Sequence, residues 1–380
     1  MADSTDHASE PVVCTTYDLL LSFIHRISSL VFVGRTYCHN PIWTSAVTTL
    51  PIDVEITKFL LLPLPGFLRR FVAPLIPQRN RIFRQRAAVR KLLFSSSGKL
   101  AAPEEHSVMK LFIQSGKDTN PDTLTARLLL LTATAVRPFG KTSEIVTDTC
   151  LSQLHTSSMT ITHAIYDLCA MPEYIEQLRA EARTALAEDN GEWQFTTIKR
   201  LRRLDSFLKE SQRVNQATFR KKPASLKGYS RLLIIHSVGF DRKVMSPIQL
   251  SDGKTMLPQG SLIAVPGGPM SRDPMFYNDP LHFNGLRFYR SDEDDTNSTN
   301  TKQDFTGIEP GNLSWGHGRF TCPGRWYAAT MIKLILARLL LEYDISFPSG
   351  QTERPPNVKY DTEVHPDFKQ KIVLRKMHGV

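Results

Sequence analysis

Cysteine is scarce in this chain: Cys14, Cys38, Cys150, Cys169 and Cys322 are the five among 380 residues. They are odd in number and widely spaced, with no C-x-x-C pair and no histidine at zinc-ligand spacing, which argues against a disulfide framework or a zinc site. No window of 18 or more purely apolar residues occurs, and the opening "MADSTDHASEPVV" is polar and acidic. Neither a spanning helix nor a signal peptide is therefore predicted. Internal repeats are absent, so a solenoid is excluded. Acidic residues are outnumbered, 37 against 47 basic, for a net charge of +10. The basic residues are dense only in 69–91 and 199–205, where Leu, Phe, Ile or Val recur among them. That mixture reads as solvated helix faces rather than a nucleic-acid patch, with docking of an acidic electron-donating protein as a further reading.

What is present is enough apolar material, 41% of residues against 22% charged, to bury a sizeable core. The first third reads as helical, beginning with "TYDLLLSFIHRISSLVFVG", whose apolar residues are interrupted by Asp18, His25 and Arg26 as in a buried amphipathic helix. "PEYIEQLRAEARTALAE" starts with Pro172 at a favourable first-turn position and Glu173 at the positive end of the helix. In "TTIKRLRRLDSFLKESQRVNQ", Ile198, Leu201, Leu204 and Leu208 recur at helix spacing. After residue 220 the texture changes: "KVMSPIQLSDGKTMLPQGSLIAVP" has short β-prone runs divided by turn residues, which predicts a small antiparallel sheet. "RWYAATMIKLILARLLLEYDISF" predicts a long helix running into a strand, and "HPDFKQKIVLRKM" a last strand. The fold class is mainly α with a minor β portion.

Cys322 stands alone in "LSWGHGRFTCPGRWYAA", just before that long helix. A lone cysteine is ordinarily a buried structural thiol. Here, however, Gly316, Gly318 and Gly324 let the backbone fold tightly, and the start of the following helix offers N–H groups to a thiolate. With no second thiol or paired histidine to complete a protein-only site, a macrocycle that brings the other ligands fits best, namely haem.

"WGHGRFTCPG" resembles the haem-ligand loop of the cytochrome P450 family, in which an aromatic residue, two glycines, the cysteine and a further glycine follow in fixed order. Glu210 and Arg213 in "LKESQR" resemble the family's Glu-x-x-Arg helix, and Arg287 in "FNGLRF" the arginine that completes that charge cluster. "LHTSS" followed by "ITHAIYDL" resembles the distal helix of fungal members, which puts Thr156 at the proton-relaying threonine and His155 beside it. The likeness runs from about residue 15 to the C-terminus and implies a single cytochrome P450 domain over 1–380.

This resemblance implies a haem-thiolate monooxygenase of fungal secondary metabolism, acting on a hydrophobic, terpenoid-like small molecule. Cys322 would ligate the iron of haem b, with Gly318, Gly324, Trp315 and Phe320 around it, and the Glu210–Arg213–Arg287 cluster would be structural. Electrons would come from NADPH through a cytochrome P450 reductase, and the location implied is the cytosolic face of the endoplasmic reticulum membrane. No nucleic-acid partner is expected.

Several departures accompany the match. Phe320 stands where the family usually carries Arg or His to pair a haem propionate, and Trp315 replaces the usual Phe. Outside the cysteine loop no Trp-x-x-x-Arg occurs. The chain is therefore expected to lack the N-terminal part of the fold, with its membrane anchor, first β-strands and the helix bearing that propionate contact. Segments 136–153 and 226–237 fit the family poorly and read as insertions or retained introns. Two alternatives stay open at this stage: a haem-binding but inactive remnant, and a haem-free helical binding protein.

Overall fold

The computed structural model describes residues 10–94, 107–116, 120–133, 153–215, 239–290, 303–360 and 363–377. Most of segment 136–153, from 136 to 152, and all of 226–237 lie outside the described residues. The chain divides into two compact units, one of residues 1–18 with 159–380 and the other of residues 19–158.

The second unit is helical. Helix α1 (Thr16–Val33) is followed by the short α2 (Arg35–Cys38), with Gly34 at φ +84° turning the chain between them. Helix α1 is long and apolar enough to cross a membrane by length and composition, although Asp18, His25 and Arg26 interrupt its apolar residues and half of it is buried inside the protein. The long α3 (Pro41–Leu61) packs on α5 (Pro77–Leu93), with α4 (Gly66–Val72) between them in sequence. Trp43, fully buried, donates its indole N–H to Ser29 Oγ at 3.0 Å. Asp53, also buried, accepts Arg81 Nε at 2.6 Å, tying α3 to α5. Helices α6 (Val108–Gln114) and α7 (Pro121–Ala133) complete this unit, with α7 packed on both α3 and α5.

Helix α8 (Gln153–Ala170) begins in the helical unit, which holds its residues 153–158, and from Met159 onward opens the larger part of the other unit, followed by α9 (Glu173–Glu188), α10 (Phe195–Arg200) and α11 (Arg202–Val214). The periodic stretch 195–214 is thus two helices: Leu201, at ψ 69°, breaks the run, and its buried side chain keeps the apolar spacing across the break. Strands β2 (Gly239–Lys243) and β5 (Leu262–Val265) pair antiparallel, as do β3 (Ile248–Gln249) and β4 (Met256–Leu257), giving the small sheet region read from the sequence. The turn between β3 and β4 is set by Asp252, which accepts the N–H groups of Lys254 and Thr255 at 2.9 Å each. After the short α12 (Gly267–Met270) comes α13 (Arg325–Glu342), apolar around most of its circumference and running into strand β6 (Tyr343–Ser346).

Helix α13 is the core of this unit. Ala328, Ala329, Met331, Ile332, Ile335, Leu336, Leu339 and Leu340 are all buried, and each such Leu or Ile contributes about 1.5–3 kcal/mol. Its one buried cation, Lys333, meets Asp205 of α11 at 2.9 Å. Strand β9 (Lys371–Lys376) lies between β6 and β1 (Val12–Thr15) in an antiparallel sheet, with Leu374 opposite both Val12 and Ile345. Strands β7 (Val358–Tyr360) and β8 (Glu363–His365) form a separate hairpin.

Candidate active site

The loop before α13 is held by its own backbone. Cys322 N–H donates to Trp315 O at 2.7 Å, Gly316 N–H to Leu313 O at 2.9 Å, and Thr321 N–H to Gly318 O at 3.0 Å. Gly316 has φ +79°, and a Cβ there would lie 2.8 Å from Phe320 O, so both the backbone angle and the close approach require glycine. Gly318, at φ +59°, has open space around it, so only its backbone angle favours glycine. Gly324 has an ordinary φ of −85° and caps α13. Trp315 is a buttress: its indole N–H donates to Phe305 O at 2.6 Å and its ring meets Phe305 edge-on at 5.4 Å.

The thiol of Cys322 is half-buried, and burial pushes its pKa up. The N–H groups of Gly324 and Arg325 at the helix start, together with the Arg325 charge, pull it back down. Arg325 donates through Nη1 to Cys322 O at 3.0 Å, while its Nε is buried with no hydrogen-bond partner among the described residues. Phe320 is flanked by cations: the Arg242 guanidinium of β2 lies 4.1 Å from the ring centroid and that of Arg319 4.8 Å. Arg242 was not singled out in the sequence, because only the fold brings β2 to this loop.

Among the described residues no group of three or more His, Cys, Asp or Glu could hold a metal ion. Haem would bring its other iron ligands with it, and the loop has features that would suit it: one sulfur with two N–H groups directed at it, an Arg325 Nε buried without a partner among the described residues, and the positive charges of Arg242 and Arg319 beside Phe320, of the sign that suits anionic propionates.

Glu210, Arg213 and Arg287 come together. Glu210 and Arg213 are fully buried one turn apart on α11, and Arg213 grips the carboxylate through Nε at 2.7 Å and Nη2 at 2.8 Å. Arg287 adds its Nε, 3.1 Å from each carboxylate oxygen, and Asn284 N–H donates to Oε1 at 3.0 Å. The remaining guanidinium N–H groups are directed at backbone carbonyls: Arg213 donates to Ser271 O and to Pro280 O, Arg287 to Asn278 O, Asp279 O and His282 O. One carboxylate thus pins α11 to the loop 271–287. Thr156 lies on α8, half-buried; His155 is on the same helix, and its side chain lies outside the described residues.

Comparison with known proteins identifies the family. The family model for cytochrome P450 matches residues 140–222 and 224–367. The chain belongs to the cytochrome P450 family. It is 32% identical over 363 residues to an ent-kaurene oxidase of Gibberella intermedia, covering 94% of this chain and 61% of that protein. It is 32% identical over 371 residues to the cytochrome P450 monooxygenase olcJ of Penicillium canescens, covering 95% and 62%. The chain thus spans about three fifths of the length of these relatives. A further P450 monooxygenase, ptmP of Penicillium ochrochloron, is 31% identical with 95% and 74% covered. Among solved structures, the retinoic acid-bound cyanobacterial CYP120A1 has the same fold, with a TM-score of 0.64 at 16% identity over 98% of this chain and 72% of that one. The mainly α fold with minor β portion is that of a P450.

Proposed function

We propose that this P450 is a haem-thiolate monooxygenase that oxidises a hydrophobic, terpenoid-like secondary metabolite, with electrons from NADPH delivered by a reductase. The observation that carries this reading is the sulfur of Cys322, presented alone at the start of α13 with two backbone N–H groups directed at it. When bound, haem b supplies the oxygen-activating chemistry. The chain's own part is to ligate, orient and exclude water. Cys322 would hold the iron, Gly316 and Gly318 let its loop turn tightly, and Trp315 braces that loop on Phe305. Phe320 leaves the usual propionate partner missing, and Arg242 and Arg319, held against its ring, would take over that pairing. Thr156, with His155 beside it, would move protons on the distal side.

One relative is named an ent-kaurene oxidase, which supports the terpenoid-like substrate of this reading. With reductase, NADPH and ent-kaurene or related terpenoids, the chain is expected to form an NADPH-dependent oxygenated product. Haem binding without product from any of a terpenoid panel would contradict the catalytic reading.

The stretch from α3 to α5 fits an anionic membrane surface. Phe59 and Leu75 are more than three-quarters exposed, and Phe67 and Phe71 are exposed between them in sequence. From Gly66 to Leu93 the chain carries eight basic residues and no acidic one. Arg70 and Arg79 lie 4.7 Å from the ring centroids of Phe71 and Phe83, placing cations at the apolar boundary. Cosedimentation with phosphatidylserine vesicles is expected, and it should fall sharply in Phe67→Ser/Phe71→Ser. Equal binding by that variant would contradict this surface assignment.

A further inference from the structure

Met159, His163 and Asp167 form one stripe along α8, each a turn after the last, and a buried polar network attaches to it. Arg354, in the loop before β7, sends its guanidinium in three directions. Its Nε donates to Asp167 Oδ1 at 2.5 Å, Nη1 to Asn357 Oδ1 at 2.8 Å, and Nη2 meets His163 Nδ1 at 2.7 Å. Asn357 donates to Asn215 Oδ1 at 3.0 Å, and Asn215 donates back to Asp167 Oδ2 at 3.1 Å. Asp167, Arg354, Asn357 and Asn215 thus close a ring, which Ser211 Oγ joins by donating to Asp167 Oδ2 at 2.5 Å.

The position of this ring in the fold gives it a task. Strand β7 begins at Val358, immediately after Asn357, and β8 ends at His365, whose Nδ1 lies 3.1 Å from Met159 Sδ. Both feet of the β7–β8 hairpin are therefore fastened to the same stripe of α8. We propose that Arg354 is a positioning residue: its three-way fork fastens the β7–β8 hairpin to α8, the helix that carries Thr156, so that the two move as one element.

Each partner needs the fork rather than charge alone. Arg354 donates to Nδ1 of His163, so that ring is neutral with its hydrogen on Nε2, and burial likewise disfavours its charged form. His163 Nε2 is buried without a partner among the described residues, so the hydrogen bond that orients this imidazole is the one to Arg354. Asp167 is 3% exposed, and Arg354 is its only cationic partner among the described ion pairs. A lysine ammonium is a point donor and does not reach Asp167, His163 and Asn357 in these three directions at once.

Hydrogen exchange on the full chain tests this. In Arg354→Gln, amides of the hairpin and of α8 from 159 to 167 are expected to exchange about tenfold faster or more, while those of α9 keep their protection. Arg354→Lys should fail to restore that protection. If Arg354→Gln does not fold, Asn357→Ala opens the ring at an uncharged member and should give the same selective loss. Unchanged hairpin protection in the folded variant, or full restoration by lysine, would overturn the proposal. The consequence for turnover rests on the monooxygenase reading: in the haem-loaded chain, Arg354→Lys should lower product formed per NADPH consumed, and retained coupling would count against it. A wild-type chain without thiolate-ligated haem would sink the monooxygenase reading, while hydrogen exchange would still decide the role of Arg354.

Discussion

Glu210→Ala is expected to destabilise the protein by about 3 to 5 kcal/mol, the cost of breaking a buried ion pair by removing one partner. The reason lies in how one carboxylate serves two cations. Arg213 is fully buried and Arg287 nearly so, and each directs its Nε at Glu210. Alanine would leave both guanidiniums facing each other across a gap, with the Asn284 N–H unpaired as well. Their bonds to backbone carbonyls would hold them there rather than let them turn to solvent. Against a typical net stability of about 5–15 kcal/mol, that loss removes a large share of the total. Soluble yield and the denaturant midpoint are the readouts. Glu210→Gln, which keeps the shape and one acceptor, should fall between wild type and alanine, and a wild-type midpoint for Glu210→Ala would show that the cluster contributes nothing.

Cys322→Ser carries the other large effect. Serine preserves the loop, because the Cys322 N–H bond to Trp315 O, the Arg325 contact to the carbonyl and the glycine turns at 316 and 318 are all independent of the sulfur. Folding and the thermal midpoint should therefore stay close to wild type. The side chain changes from a polarisable thiol that a metal deprotonates to a hydroxyl with far weaker affinity for iron. Product formation with reductase and NADPH is expected to vanish, with haem content reduced. Undiminished turnover by the serine variant would remove Cys322 from the chemistry.

Much of this was legible in the sequence because it is local. The α13 helix running into β6, the Asp252 turn and the Pro172 helix start each follow from residues within a few positions of one another. The cysteine loop and the Glu210–Arg213 turn are equally short-range, and their family pattern supplied Arg287. What escaped is long-range or context-dependent. Strand β1 is four residues whose pairing with β9 spans nearly the whole chain, and nothing in "VVCT" alone marks it as an edge of that sheet. The break at Leu201 hides inside an unbroken apolar spacing, since periodicity reports which face is buried and not whether the backbone bends. Arg242 and Arg354 look like surface cations in the sequence, and only the fold sets one against Phe320 and the other between His163 and Asp167.

We propose that Cys322 gives its sulfur to haem iron. The most direct measurement is the absorbance spectrum of the purified, haem-loaded chain, reduced and exposed to carbon monoxide, beside Cys322→Ser. The wild-type chain is expected to show the red-shifted Soret band peculiar to thiolate-ligated haem, and the serine variant to lack it. The same spectrum from both proteins would contradict it.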